Sequence, residues 1–228
     1  MSPRPPVSRT LKGTFCSSRP TVSSGITLTL LSLLLKLAPI PIGWPGPKNS
    51  GRRTQSHPVL KNLLVVAAPV LRGLRDDTGE TATLSVLSSH SRIYLDQYES
   101  SQEIKMVVET GVPHPLHSGA SSRAIVAFLP DIYTEEAVAQ MRQLKPDFDE
   151  RLYRNTLHKV REDGYAVSLN ERNTGAASIA APFFDRSGNV LGSISSCGPI
   201  FRFNLEDSAE HAQKVVAAAH QITDLLNR

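Results

Sequence analysis

The sequence contains few cysteines. Cys16 and Cys197 are the two cysteines among 228 residues, too few for a disulfide framework, and their separation does not fit the spacing of metal ligands. Cysteines this scarce are typical of a protein kept in a reducing compartment. We therefore expect a cytoplasmic protein and predict neither a metal site nor a cofactor.

Acidic residues are absent from the first third of the chain. Residues 1–75 contain eleven Lys and Arg and no Asp or Glu, whereas residues 76–228 contain fourteen basic and twenty-one acidic residues. The net charge of +4 therefore combines one part at +11 with another at −7. This difference predicts different physical roles for the two parts.

The sequence also lacks an apolar run long enough for a membrane helix. Residues 26–42 fall short of the ~20 residues that a spanning helix needs, and Lys36, Pro39 and Pro41 interrupt them. We expect no membrane contact. Residues 1–57 leave several interpretations open: a late signal peptide, an organellar transit peptide, a solvated disordered tail, or the product of a wrong start or a frameshift.

From Pro58 onward the pattern becomes regular. Apolar residues recur at three- and four-residue spacing from Leu60 to Leu74, which predicts an amphipathic helix with a kink or restart at Pro69. Strands are expected at residues 81–89, 92–100 and 104–108 (IKMVV). Residues 110–117 contain two prolines and a glycine, so no regular structure is expected there.

The remaining segments complete an α+β fold. Helices are expected at residues 118–129, at residues 134–144 capped by Thr134, and from a capping box of Asp147 and Glu150 to about residue 163, closed by Gly164. A strand at 165–169, a hairpin at 175–199 and a terminal helix follow. Antiparallel strands punctuated by helices predict one antiparallel sheet flanked by helices, in a single domain over residues 58–228.

Two segments offer binding chemistry. In the hairpin, Ser178, Ser195 and Cys197 stand among apolar neighbours, the mixture that a pocket for a small polar molecule needs; ordinary sheet core is the alternative. At the start of helix 118–129, backbone N–H groups and the helix dipole favour an anion such as a carboxylate. Ser121 and Ser122 could equally cap that helix.

Five segments in order resemble the effector-binding domain of IclR-type bacterial transcription regulators. They are DDTGETATLSVL (76–87), IYLDQYES (93–100), PLHSGASSRAIVAFLP (115–130), VREDGYAVSLNE (160–171) and IAAPFFDRSGNVLGSISSCGP (179–199). The resemblance implies a GAF-like sheet with a small-molecule cavity, preceded by a linker helix at residues 58–75. It also implies a small organic or aromatic acid as effector, and homodimers or homotetramers.

The resemblance further implies seven effector contacts. They are the backbone N–H groups at Ala120 and Ser121, the polar residues Ser168, Ser178, Ser195 and Cys197, and Met106 as an apolar wall residue in the preceding strand. Many members carry an acidic residue at the position of Ser168. A serine there repels an anion less, which favours a carboxylic acid.

A winged helix-turn-helix and promoter DNA are also implied by the resemblance, but residues 1–57 show no winged-helix pattern. Their positive charge is compatible with phosphate attraction that carries no sequence information. The first hypothesis is a DNA-binding transcriptional regulator whose C-terminal domain binds a small organic acid. The alternative is an effector-binding protein without DNA binding, truncated or frameshifted at its N-terminus.

An enzyme is the third hypothesis. Cys197 could act as a nucleophile with His117 as base, or Ser121 could serve. A buried cysteine is usually a small apolar residue, so we predict a non-enzyme without catalytic residues. His114 and His117 have no third ligand and are interpreted as structural or effector-orienting. Arg123 is expected at the surface or in a dimer contact.

Overall fold

A computed structural model describes residues 58–171, 174–203 and 208–228. The interpretations of residues 1–57 lie outside these described residues. The elements are α1 (Pro58–Thr78), β1 (Thr81–Ser88), β2 (Ser91–Tyr98), β3 (Pro113–Pro115), α2 (Ala120–Val126), α3 (Asp131–Leu144), α4 (Glu150–Asp163), β4 (Ala166–Leu169), β5 (Ala176–Phe184), β6 (Val190–Pro199), a 3₁₀ turn (Ile200–Arg202) and α5 (Ser208–Leu226).

The strands form one antiparallel sheet in the order β3-β2-β1-β6-β5-β4. Both predicted hairpins are present, β1 with β2 and β5 with β6, and β1 joins them by pairing with β6. The expectation of an α+β fold with a helix-flanked antiparallel sheet is confirmed.

Helices cover both faces of the sheet. On one face, α1 and α5 contribute Leu71 and Ile222 to a core with Phe183 of β5. On the other, α2, α3 and α4 pack against Ala180 of the same strand and Leu116 beyond β3. Because successive residues of a strand point to opposite faces, β5 and β6 contribute side chains to both layers.

Helix α1 is continuous through Pro69. Proline lacks the N–H that would bond the carbonyl four residues earlier, here that of Val65. The side chains of Pro69 and Val65 are both exposed, that of Val65 at 73%, so water can reach this side of the helix.

The strand expected at residues 104–108 is wrong. The segment has no regular structure, and the side chain of Gln97 bonds it instead: Nε2 donates to the Val108 carbonyl at 2.8 Å and Oε1 accepts from the Val108 N–H at 2.9 Å. A side-chain amide thus replaces ladder bonds beside β2. The edge strand beside β2 is instead β3, Pro113–Pro115, in the stretch where prolines argued against regular structure. An edge position tolerates proline, which cannot donate to a neighbour.

Several helix ends differ from expectation. Helix α2 is shorter than residues 118–129. Helix α3 begins at Asp131 after Pro130, so Thr134 lies buried inside it and is not its cap. Asp149, not Asp147, caps α4 by accepting from the Leu152 N–H at 2.9 Å. Gly164 ends α4 at φ +79°, as predicted.

Candidate functional site

A cavity of about 270 Å³ lies between the sheet, the start of α2 and residues 106–109. All seven residues singled out from the resemblance border it: Met106, Ala120, Ser121, Ser168, Ser178, Ser195 and Cys197. Met106 does so from irregular backbone and not from a strand. These residues, distant in sequence, therefore share one cavity, and their role as effector contacts stays a prediction.

Strand pairing aligns the polar wall of the cavity. Ser168, Ser178 and Cys197 are partners across β4, β5 and β6. Ser195 lies two residues before Cys197 in β6, on the same face, and its hydroxyl is 2.6 Å from Thr83 Oγ1 of β1. The alternation of a strand gives one face of the sheet a row of hydroxyl and thiol groups. We call these four residues, Ser168, Ser178, Ser195 and Cys197, the hydroxyl wall.

The start of α2 already interacts with a carboxylate of the protein. Gly119, at φ +87°, donates its N–H to Glu171 Oε2 at 3.1 Å. Ser121 is 4% exposed, and its carbonyl accepts from Ser193 Oγ at 3.3 Å. Because α2 has seven residues and Glu171 lies at its start, this helix end is a weaker anion site than the sequence suggested.

Arg123 is buried and not a surface residue. Its Nη1 and Nη2 donate to Oε2 and Oε1 of Glu171, each at 2.6 Å, and Nη2 also donates to the Val167 carbonyl. The side chain is 8% exposed. The paired fork joins α2 to the end of β4, and this charge-assisted geometry is among the strongest that proteins use.

Three further cavity residues are Arg92, Tyr94 and His114; sequence reasoning interpreted His114 as structural or effector-orienting but missed the other two. The guanidinium carbon of Arg92 lies 4.4 Å from the centre of the Tyr94 ring, and the His114 ring packs edge-on against Tyr94 at 5.2 Å. A sequence signal was present for both missed residues. Arg92 and Tyr94 are two apart in a predicted strand and therefore share a face.

One phenol behind the Arg123–Glu171 pair titrates abnormally. Burial raises the pKa of Tyr153 to about 12, and Arg123 opposes and Glu171 adds to that effect. Tyr153 stays neutral at physiological pH and packs against α2 as an uncharged side chain.

The structure does not bring together the residues that the enzyme hypothesis or a metal site would need. His117, the base paired with Cys197 in the enzyme hypothesis, is not among the cavity-lining residues, and its Nδ1 lies 2.9 Å from Gln140 Oε1. Over residues 58–171, 174–203 and 208–228, no group of three His, Cys, Asp or Glu residues could hold a metal ion. Within the same ranges no helix is both long and apolar enough to cross a membrane.

Comparison with known proteins decides the family. The family model described as "Bacterial transcriptional regulator IclR C-terminal" matches residues 58–224. The chain belongs to the IclR family. Among curated relatives, it is 28% identical over 226 residues to the HTH-type transcriptional regulator BhcR of Paracoccus denitrificans, covering 89% of this chain and 81% of that protein. It is 28% identical over 178 residues to the transcriptional repressor IclR of Escherichia coli.

A solved IclR-family structure has the same fold. The crystal structure of Thermotoga maritima IclR matches with a TM-score of 0.66 at 29% identity, over 73% of this chain and 69% of that one. The match to Escherichia coli IclR covers 72% of this chain and spans 62% of that repressor. These IclR-family relatives are transcriptional regulators and not enzymes, so residues 58–224 are the C-terminal domain of such a regulator.

Proposed function

We propose that this IclR-family chain binds DNA and that a small organic acid in the cavity controls that binding. The observation that carries the proposal is the convergence of Met106, the start of α2 and the hydroxyl wall on one cavity. Its volume of about 270 Å³ lies just under the range of roughly 300–1,000 Å³ for pockets of drug-sized ligands. A metabolite of a few carbons suits that size.

The lining chemistry suits an organic acid. Ser121 and the hydroxyl wall offer hydrogen bonds to carboxylate, hydroxyl or keto oxygens, while Met106 and Ala177 supply apolar surface. Few placed polar groups among apolar ones are typical of a small-molecule site. Because Ser168 contributes no carboxylate, the hydroxyl wall does not repel an anion.

A path leads from the cavity to α1, the proposed linker helix. Ser195 and Cys197 face the cavity, and Ser196 between them faces α1 and α5, with its hydroxyl 3.4 Å from Thr78 Oγ1 at the end of α1. If β6 and α1 move together, a ligand that prefers one position of β6 also favours the position of α1 that accompanies it. In an oligomer, this would change the spacing of the DNA-binding parts.

DNA binding is assigned to the basic N-terminal part. Residues 58–228 make up three quarters of the chain, so the 89% coverage of the BhcR match extends into residues 1–57. That similarity and eleven basic residues without an acid in residues 1–75 support a phosphate-binding role. We further propose a homodimer or homotetramer in the cytoplasm.

A two-part experiment on the full chain tests the proposal. Thermal unfolding with a panel of small carboxylates identifies an effector as an acid that raises Tm. Gel shift with DNA from its own upstream region, at several salt concentrations and with and without that acid, tests regulation. We expect a specific complex that the acid strengthens or weakens.

The alternative is an effector-binding protein that lacks DNA binding. The observation that favours it is the absence of a winged-helix pattern in residues 1–57. Acid binding combined with only salt-sensitive, sequence-independent DNA retention would select this alternative.

A further inference from the structure

Two of the three walls of the cavity are regular structure, and the third is not. The sheet and the start of α2 provide the first two, and residues 106–109 close the remaining side. These four residues belong to segment 101–109, which forms neither helix nor strand. Every residue of the segment is exposed or half-buried, with Ile104 62% and Val107 51% exposed. Backbone with few buried contacts opens locally at a lower free energy than the core.

The two ends of the segment are fixed to the sheet. Before it, Ser100 is buried, donates its N–H to Thr81 Oγ1 at 3.0 Å and donates its hydroxyl to the Gly79 carbonyl at 2.5 Å. After it, the Gly111 N–H donates to the Tyr94 carbonyl at 2.9 Å. Ser100 and Gly111 are therefore fixed points, and the residues between them can move as a unit.

Between these points, two side chains from outside the segment bond its backbone. Gln97 of β2 bonds both the N–H and the carbonyl of Val108. Arg202 of the 3₁₀ turn donates from Nη2 to the Ile104 carbonyl at 2.7 Å. Because both attachments are side-chain hydrogen bonds, they can break while the strands of the sheet stay paired.

Arg202 is held in place by a buried carboxylate. Its Nε and Nη2 donate to the two oxygens of Glu80, the second at 2.9 Å, and the Glu80 side chain is 6% exposed. Gly198 of β6 makes room for that carboxylate, because a Cβ there would overlap Glu80 Oε2. This charge-assisted fork fixes the guanidinium that bonds the segment. The ion pair of Lys105 with Glu99 also involves the segment but is open to solvent, where such pairs contribute little.

We infer that segment 101–109 is a lid over the cavity and that Gln97 and Arg202 are its latches. Opening requires the two side-chain attachments to break, and closure separates a bound molecule from solvent. Glu80 lies between α1 and β1, so the Arg202 latch also connects the lid to the end of the proposed linker helix. The inference rests on the proposed function only in assigning the lid to an effector.

The reaction of Cys197 with iodoacetamide tests the lid and needs no effector. Cys197 is 8% exposed and borders the cavity, so the reagent reaches it through the side that the lid closes. The full chain is labelled under native conditions, and mass spectrometry of the peptide that contains Cys197 gives its rate separately from that of Cys16. Labelling should be slow in wild type. It should be roughly three- to tenfold faster in Gln97→Ala and in Arg202→Gln, the factor that corresponds to about one net hydrogen bond.

Matched controls come from α3. Arg142→Gln also removes the arginine of an arginine–glutamate pair, with Glu150, and Gln143→Ala removes an exposed glutamine. Neither residue borders the cavity, so both variants should label at the wild-type rate. Labelling is repeated at low urea concentrations. Lid opening exposes little surface and gives a rate nearly independent of urea, whereas global unfolding gives a steep increase.

The lid is overturned if wild-type Cys197 reacts as fast as in the unfolded protein, or if the latch variants react at the wild-type rate. It is also overturned if their rates rise steeply with urea, because access then follows unfolding of the sheet. Acceleration in Gln97→Ala alone would overturn Arg202 as a latch.

Arg202→Lys is the second variant if Arg202→Gln fails to fold with Glu80 left buried and unpaired. It keeps the charge but not the fork and should also accelerate labelling, whereas a wild-type rate would overturn the latch. None of these outcomes depends on an acid that raises Tm, so the lid and the proposed effector site fail separately.

Discussion

Ser195 and Ser196 are adjacent in β6, yet their hydroxyls belong to opposite layers of the domain. Ser195 Oγ lies 2.6 Å from Thr83 Oγ1 in the cavity wall. Ser196 Oγ lies 2.9 Å from His211 Nε2 of α5 and 3.4 Å from Thr78 Oγ1 of α1. Strand β6 therefore contacts both the candidate site and α1, which is the arrangement that coupling between them requires.

Ser121→Trp should abolish acid binding while leaving the fold nearly intact. Ser121 borders the cavity at the start of α2, so an indole there would occupy the space of the ligand, and the cavity spares the core from most of the overpacking. Calorimetry with an acid that binds wild type measures the loss, and circular dichroism checks the fold.

Ser187→Trp is the matched control, because Ser187 is exposed in the turn between β5 and β6. It should bind like wild type. Unchanged affinity in Ser121→Trp would show that the acid binds elsewhere.

Periodicity and turn residues were enough to predict the sheet, its two hairpins and α1, because those elements follow local pattern. They failed at residues 104–108, where β-forming residues suggested a strand. The Gln97 side chain takes the hydrogen bonds that a strand would have made. A side chain that replaces strand hydrogen bonds in this way leaves no periodic pattern in the sequence.

For the candidate site, too, some residues could be predicted from the sequence and others could not. The pattern of the hairpin already indicated Ser178, Ser195 and Cys197, the resemblance completed the set of seven, and all seven border the cavity. Arg92 escaped notice because its sequence context is an ordinary strand. Its burial depends on Ser122, thirty residues later. The Arg123–Glu171 pair spans a still longer separation, so spacing alone could not reveal it.

Glu171→Gln should destabilise the domain by about 2 kcal/mol, because removal of one partner leaves the buried Arg123 guanidinium without its carboxylate. We place the loss below that of a fully buried pair since Glu171 is partly exposed. Urea unfolding at neutral pH measures it. Glu135→Gln, which removes an exposed partner of Arg154, should leave the midpoint nearly unchanged; equal effects of the two changes would contradict a structural role for the Glu171 pair.

Asp149→Ala should cost about 1 kcal/mol of stability, because the side chain accepts from the Leu152 N–H at the start of α4. Asp147→Ala, two residues earlier and exposed, should cost less than half of that. Urea midpoints of the two variants discriminate directly between the cap in the structure and the capping box suggested by the sequence. A larger loss in Asp147→Ala would favour the latter.

His211 should make the domain less stable in mild acid. Burial lowers its pKa below the ordinary 6.5, Glu80 opposes that shift, and Lys214 reinforces it. The unfolded chain therefore takes up the proton first, so the contribution of neutral His211 is complete above about pH 6.5 and is lost as the pH falls towards the lower pKa of the folded state.

Urea unfolding of wild type and His211→Gln between about pH 8 and about pH 5 isolates this contribution from those of the other histidines. The stability difference, wild type minus variant, should decrease as the pH falls, because only the wild type carries the imidazole. Glutamine can still bond the Ser196 hydroxyl, which limits the change at high pH. A difference that stays constant, or grows in acid, would mean that His211 is not held neutral between β6 and α5.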